Sequence, residues 1–431
     1  MKICVYGMHH QGPVAAACLA EQKIRTIAVD DDPAVINGLS AGKAPLFEPG
    51  LDELITSGLK AGSLSFSSNV AEAVGDADLL WIAFDTPVDD QDRADVDFVK
   101  QRIRRCFPVL KDGAIVLVTA QLPIGSMREL EAAFSSEHRA REVHFASAPE
   151  NLRLGKALET FRRADRLVVG VRDEQARRAL EPLLSRFTAN LIWVSIESAE
   201  MSKHATNAFL AASVTLANEI ATLCERTGAD AVEVERALRA EPRIGKSAYV
   251  RAGSAFAGGT LARDVVYLQR IATDYACSVP LLDSVLVSND HHRLWAGRQL
   301  EKRLAPLEGK TVGILGLAYK PGTSSLRRSA AVELCRNLRL HGALVRAFDP
   351  KVLTLPDDLA GCLVLAGSAA DAATGAHALV IATEWPEFRE IDAATIASRM
   401  TGNLVLDSGR FLESLLGAES RLNYVTVGRP L

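Results

Sequence analysis

Short apolar runs alternate along nearly the first half of the chain with longer stretches in which apolar residues recur every three or four positions. Ile3-Cys-Val-Tyr6 is the first run; the Ala-rich segment from Val14 follows, and Thr26-Ile-Ala-Val29 ends in Asp30. Further runs stand at Leu79–Phe84, Ala114–Thr119, Val143–Ser147, Leu167–Val171 and Leu191–Val194. Strand-like runs separated by helical periodicity predict a parallel α/β sheet. From Ser198 to Thr227 the pattern becomes one long helix, with Ser198 as N-cap and Gly228 as the stop. Met201, Ala205, Ala208, Phe209, Ala212, Leu216, Ile220 and Leu223 form its apolar stripe, suited to a spine between domains or to a dimer contact. Helical patterns continue to about residue 300, including Val265–Asp274. A second α/β series then opens at Thr311–Gly316 and continues through Leu344–Phe348, Leu363–Ala366, Leu379–Thr383 and Leu404–Asp407.

The expected architecture is α/β: two Rossmann-like parallel-sheet domains, residues 1–197 and 301–431, joined by a long central helix and a helical middle domain, 198–300. A length of 431 residues agrees with two or three domains. A net charge of −4 gives no basic face for nucleic acid. Seven scattered cysteines without C-x-x-C spacing argue against zinc and against a disulfide framework, so no metal is expected. With no charged leader and no apolar segment near ~18 residues, the expectation is a cytoplasmic protein without a membrane partner.

Candidate chemistry begins at the first strand-to-helix turn. Gly7 and Gly12 bracket it and Asp30 closes the second strand, the layout of a dinucleotide-binding βαβ unit, with the acid favouring NAD over NADP. His9 occupies the middle glycine position, bringing an imidazole to where backbone ordinarily meets pyrophosphate. The strand ends at Asp85-Thr86-Pro87 and Gln121-Leu-Pro123 face the same crevice in a doubly wound sheet. Glu150, after another strand, suits a base, a water-orienting group or a helix N-terminal acid. Lys203 and Asn207 share one face of the long helix at i,i+4 spacing. The stretch Ala252–Asp264 has three Gly and four Ala in thirteen residues, composition for a loop that closes on a ligand.

Ordered motifs then accumulate: Val29-Asp30, Glu48-Pro49-Gly50-Leu51, Thr86-Pro87-Val88-Asp89, Pro149-Glu150, Glu200 through Asn207, Arg243-Ile-Gly245, Gly316 through Thr323, Asp349-Pro350, Thr383-Glu384-Trp385, and Asp407 with Arg410. In these the chain resembles the UDP-glucose/GDP-mannose dehydrogenase family along essentially its whole length. The resemblance implies a homodimer that oxidises a nucleotide-sugar primary alcohol to a carboxylate in two NAD-dependent steps. It implies NAD at Gly7, Gly12, Asp30, Thr86 and Gln121. It further implies that Lys203 stabilises an alkoxide, Asn207 lines the same pocket, Asp264 manages a proton through water and Glu150 assists hydrolysis. Arg243, Phe256, Gly258, Lys320 and Arg410 are the implied contacts to the nucleotide-diphosphate sugar. Three positions depart from the family. Thr260 stands where the family has its cysteine nucleophile, Gln121 replaces a Thr, and Ser324-Ser325 replace an acidic pair. A Thr hydroxyl is a weak nucleophile without an activating base, so the expectation is an oxidoreductase that stops after two electrons, or else a non-catalytic nucleotide-sugar-binding paralogue.

Overall fold

The computed structural model describes residues 1–87, 94–153, 155–257 and 259–430; Val88, Asp89 and Gly258 of the motifs above lie outside the described residues. The chain divides into two compact units, 1–206 and 207–431, and the division falls inside the Ile196–Thr227 helix.

The first unit is built on eight strands: β1 Ile3–Tyr6, β2 Thr26–Val29, β3 Leu64–Ser67, β4 Leu79–Ile82, β5 Ala114–Val118, β6 Val143–Ser147, β7 Leu167–Val171 and β8 Leu191–Val194, in the spatial order β3-β2-β1-β4-β5-β6-β7-β8. Alternation across the pleat sends neighbours to opposite faces. Ile3, Val5, Leu79, Trp81, Ile115 and Leu117 enter one core, and Cys4, Tyr6, Leu80, Ile82, Val116 and Val118 the other. Both faces are helix-covered, which is why the strands read as uninterrupted apolar runs. Each such side chain buried stabilises the unit by about 1.5–3 kcal/mol. The helix Gln11–Glu21 packs closely because Ala15, Ala16 and Ala17 present only methyl groups, and all of Gln11–Ala20 is buried.

The second unit carries β9 Thr311–Leu315, β10 Leu344–Phe348, β11 Val364–Leu365, β12 Ala378–Ile381, β13 Leu404–Asp407 and β14 Asn423–Val425, all parallel, in the order β11-β10-β9-β12-β13-β14. The helices Ala231–Ala240, Thr260–Asp274, Pro280–Arg293 and Trp295–Leu304 belong to the same unit.

Several expectations are corrected. β7 runs antiparallel to β6, so the first sheet is mixed. β3 and β14, short and partly polar, carry too weak a pattern to be read from sequence. The long helix starts at Ile196, and its N-cap is Ser195, whose Oγ accepts the Ser198 N–H at 3.2 Å. The helix expected from Val265 begins at Thr260, where Gly259 at φ +102° turns the chain into its first turn. The Ile196–Thr227 helix is also long and apolar enough, at a mean hydropathy of 1.2, to cross a membrane by length and composition, contrary to the sequence expectation; half of that window is buried in protein. Alanines raise its hydropathy while serving as small packing residues: Ala208, Ala211, Ala217 and Ala221 are buried, with Val214 beside them in the same helix.

Candidate active site

In the first unit, the turn after β1 admits no side chain at two positions. Gly7 has φ +103°, and a Cβ there would come within 2.7 Å of the Phe84 ring; a Cβ on Gly12 would stand 1.8 Å from the Gly7 carbonyl oxygen. Asp30 ties the turn to β2, its carboxylate accepting the Met8 N–H at 2.7 Å and the Asp32 N–H at 3.0 Å. Beneath the turn, buried Gln11 donates to the Phe84 carbonyl at 2.8 Å and accepts from the Thr119 hydroxyl at 2.9 Å, which itself accepts the Trp81 indole N–H at 3.1 Å. This network fixes the helix start to the carboxyl ends of β4 and β5. The Thr86 hydroxyl donates to the Gln121 carbonyl at 3.0 Å, joining the two loops.

On the same unit Glu150 follows β6 and accepts the Leu152 N–H. Burial is the main influence on its carboxyl and pushes its pKa up, while nearby Lys203 pulls it down. Among the described residues Glu150 caps no helix; buried Glu48 serves the Ala157–Arg162 helix, accepting the Gly155 and Ala157 N–H groups at 2.7 Å each. Lys203 donates to Asn151 Oδ1 at 2.9 Å and is half-buried. One turn earlier, Glu200 is buried and accepts the Gly125 N–H at 2.7 Å and the Met127 N–H at 3.0 Å. It anchors the long helix to the start of the Ser126–Glu137 helix and so positions Lys203.

In the second unit, Asp264 is 1% exposed and accepts from the Asn207 side-chain amide. Thr260 and Asp264 lie on successive turns of one helix, Thr260 exposed at its first residue. Among the described residues no hydrogen bond joins the Thr260 hydroxyl to a base. The preceding loop is pinned at three points. Asn218 accepts the Gly253 N–H at 2.9 Å, His292 Nε2 lies 2.7 Å from the Gly253 carbonyl, and Asn289 bonds both the N–H and the carbonyl of Phe256 at 3.0 Å. Burial lowers the pKa of His292, which fits a neutral ring donating to that carbonyl. Phe256, Ser254, Tyr319 and Ser408 line a cavity of about 140 Å³ at the carboxyl ends of β9, β12 and β13.

Residues 1–188 match the NAD binding domain of the UDP-glucose/GDP-mannose dehydrogenase family, 197–291 its central domain and 313–414 its UDP binding domain. A UDP-glucose 6-dehydrogenase of Rhizobium meliloti is 33% identical over 437 residues, covering 100% of both chains. The chain belongs to the UDP-glucose/GDP-mannose dehydrogenase family. A UDP-glucose 6-dehydrogenase of Pseudomonas aeruginosa is 33% identical over 444 residues, covering 100% of this chain and 98% of that one. The solved UDP-glucose dehydrogenase of the archaeon Pyrobaculum islandicum superposes with a TM-score of 0.80 at 31% identity, over 94% of this chain and 93% of that one.

As a family member the chain is an NAD-dependent nucleotide-sugar dehydrogenase, and NAD is its cofactor. The first unit fits that cofactor: Gly7 and Gly12 leave the backbone bare, and Asp30 retains acceptor capacity beyond its two backbone bonds. Among the other sequence candidates, Arg243 is on the surface, ion-paired at 2.7 Å with Glu241, and Lys320 is exposed with its Nζ 5.5 Å from the centre of the Tyr319 ring. Arg410 is half-buried, donating to the Val427 carbonyl at 3.0 Å and lying 3.5 Å from Asp230, so its guanidinium already has structural partners. Sequence reading assigned no role to Gln11, Glu200, Asn218, Asn289 or His292. Glu200 was inside a matched motif, but the backbone donors it serves are more than 70 residues away and invisible to local spacing.

Proposed function

We propose that this chain oxidises the primary alcohol of a UDP- or GDP-sugar with NAD and releases the product after one two-electron step. The observation that carries the reading is Thr260. It is exposed at the start of the helix that carries Asp264, with no hydrogen-bonded base among the described residues. A Cys there would ionise near neutral pH and capture an aldehyde; an unactivated Thr hydroxyl does not. In this reading Lys203 places positive charge beside the oxygen that becomes an alkoxide, the electrostatic contribution that dominates such barriers. The Asn207 amide orients the Asp264 carboxylate, which takes up the proton through a water. NAD, when bound, supplies the hydride acceptor. Glu150 keeps its place but has no thioester to help hydrolyse. Phe256, Gly258 and Lys320 are assigned to the sugar nucleotide, with Arg243 and Arg410. The names of the curated relatives support UDP-glucose as the first sugar to try.

The same reading includes a homodimer. Phe209, Leu216 and Leu223 are 71%, 57% and 65% exposed and recur every seven residues along the Ile196–Thr227 helix, an apolar face that supports pairing with a second copy. Light scattering that returns the mass of one chain at micromolar concentration would remove the dimer from the proposal.

The deciding experiment incubates purified protein with NAD and UDP-glucose or GDP-mannose, counts NADH per sugar and identifies the product by mass spectrometry. One NADH and an aldehyde are expected from the wild type, and a carboxylate from Thr260→Cys. Two NADH per sugar from the wild type would end the one-step reading. No NADH, with sugar-nucleotide binding but no NAD binding, would make the chain a binding paralogue.

A further inference from the structure

The turn into the Gln11–Glu21 helix carries a pair of ionisable side chains that the proposed oxidation does not use. His9 stands at the position where a missing side chain ordinarily lets backbone meet the pyrophosphate of a dinucleotide. Its Nδ1 lies 3.1 Å from Asp85 Oδ2, and the same oxygen accepts the N–H of His10, the N-cap residue, at 3.0 Å. A carboxylate therefore sits on a backbone donor at the positive end of the helix, the place phosphates favour. Alone, that carboxylate would repel a pyrophosphate. His9 cancels its charge when protonated, and with its side chain 66% exposed and Nδ1 engaged, Nε2 remains as a donor for an incoming anion.

We propose that His9, as imidazolium, is a ligand of the dinucleotide pyrophosphate and the counter-charge that makes Asp85 compatible with it, so that NAD affinity falls as His9 loses its proton. The charges facing His9 are Asp85 from the end of β4 and Asp30 from the end of β2. On its own turn stands His10, with Nε2 4.0 Å from Glu48, and beyond it are Glu150 and Lys203. The hydrogen bond to Asp85 holds the His9 pKa above the ordinary value, and burial opposes it. The sign follows: the pair is neutral below the raised pKa and carries one negative charge above it.

Isothermal titration with NAD, without sugar, tests this at about pH 6 and about pH 8.5, either side of the ordinary histidine range. Wild type should lose about tenfold in affinity at the higher pH, the size of one modest charge interaction. His9→Gln should bind about tenfold more weakly than wild type at the lower pH, with little further change at the higher. Adding Asp85→Asn to His9→Gln should restore much of the affinity and leave it independent of pH. Adenosine, which lacks phosphate, should bind all variants alike, and thermal melts should confirm that each is folded. His9→Gln binding NAD as tightly as wild type at the lower pH, or a double variant no tighter than His9→Gln, would overturn the proposal. The measurement involves no sugar, so failure of the His9 and Asp85 variants to shift NAD affinity would overturn this proposal and leave the Thr260 reading standing, whereas absence of NAD binding by the wild type at both pH values would overturn both.

Discussion

At the end of β2, Asp30 accepts two backbone N–H groups and stays half-buried; at the end of β10, Asp349 accepts four, from Leu317, Ala318, Lys351 and Val352, together with the Trp385 indole, and is 2% exposed. The two acids hold the same position in similar βαβ frames. Each follows the strand that pairs with the first strand of its unit, and each reaches back to a glycine turn, Gly7 or Gly316, that has positive φ. The turns then diverge. The first enters its helix at Gln11, whereas the second runs on to Ala330 and folds over its own acid. A carboxylate with capacity to spare beside a helix start can meet a ligand's hydroxyls. One saturated by its own chain is a structural bolt, and the second unit must recognise its ligand elsewhere, as its cavity beside Phe256 and Tyr319 suggests.

The largest expected effect comes from breaking that bolt. Asp349→Ala leaves several buried donors unpaired and should cost at least about 3 kcal/mol, read as a melting transition lost or shifted by many degrees. If it melts like wild type, the contrast between the two acids fails. Next is Gly316→Ala, whose Cβ would stand 2.4 Å from Thr383 Cβ at φ +92°. It should destabilise the protein by about 2 kcal/mol, measured by thermal denaturation. Asp30→Ala should do the reverse of Asp349→Ala: a melting temperature within a few degrees of wild type and NAD affinity weaker by about tenfold in a titration. Equal losses of stability at Asp30 and Asp349 would make them the same device.

The smallest effect concerns Glu150, a first-unit carboxyl that burial holds above the ordinary carboxylate pKa. The native state keeps its proton after the unfolded chain has released it, so ionising Glu150 costs stability as pH rises from the ordinary value through the raised one. Glu150→Gln should therefore melt about 2 °C higher at pH 7 and show no difference below about pH 4. A lower melting temperature at pH 7 would show that the attraction to Lys203 outweighs burial.

Much of this protein was legible in its residues because the determinants are local. Apolar runs fixed strands such as β5 and β6 to within a residue, Gly228 marked the end of the long helix, and ordered motifs carried the family. Positions requiring glycine announced themselves too, since Gly7 and Gly12 are the only residues that fit their turn. Partnership was decided by the tertiary structure. Nothing near Glu200 in sequence says that it anchors Gly125, nothing near Asn289 says that it clasps Phe256, and Asp30 and Asp349 look alike until their donors are counted. Hydrogen-bond saturation, burial and the charge beside His9 depend on chain segments tens of residues away, brought together only when the sheets are closed by their helices.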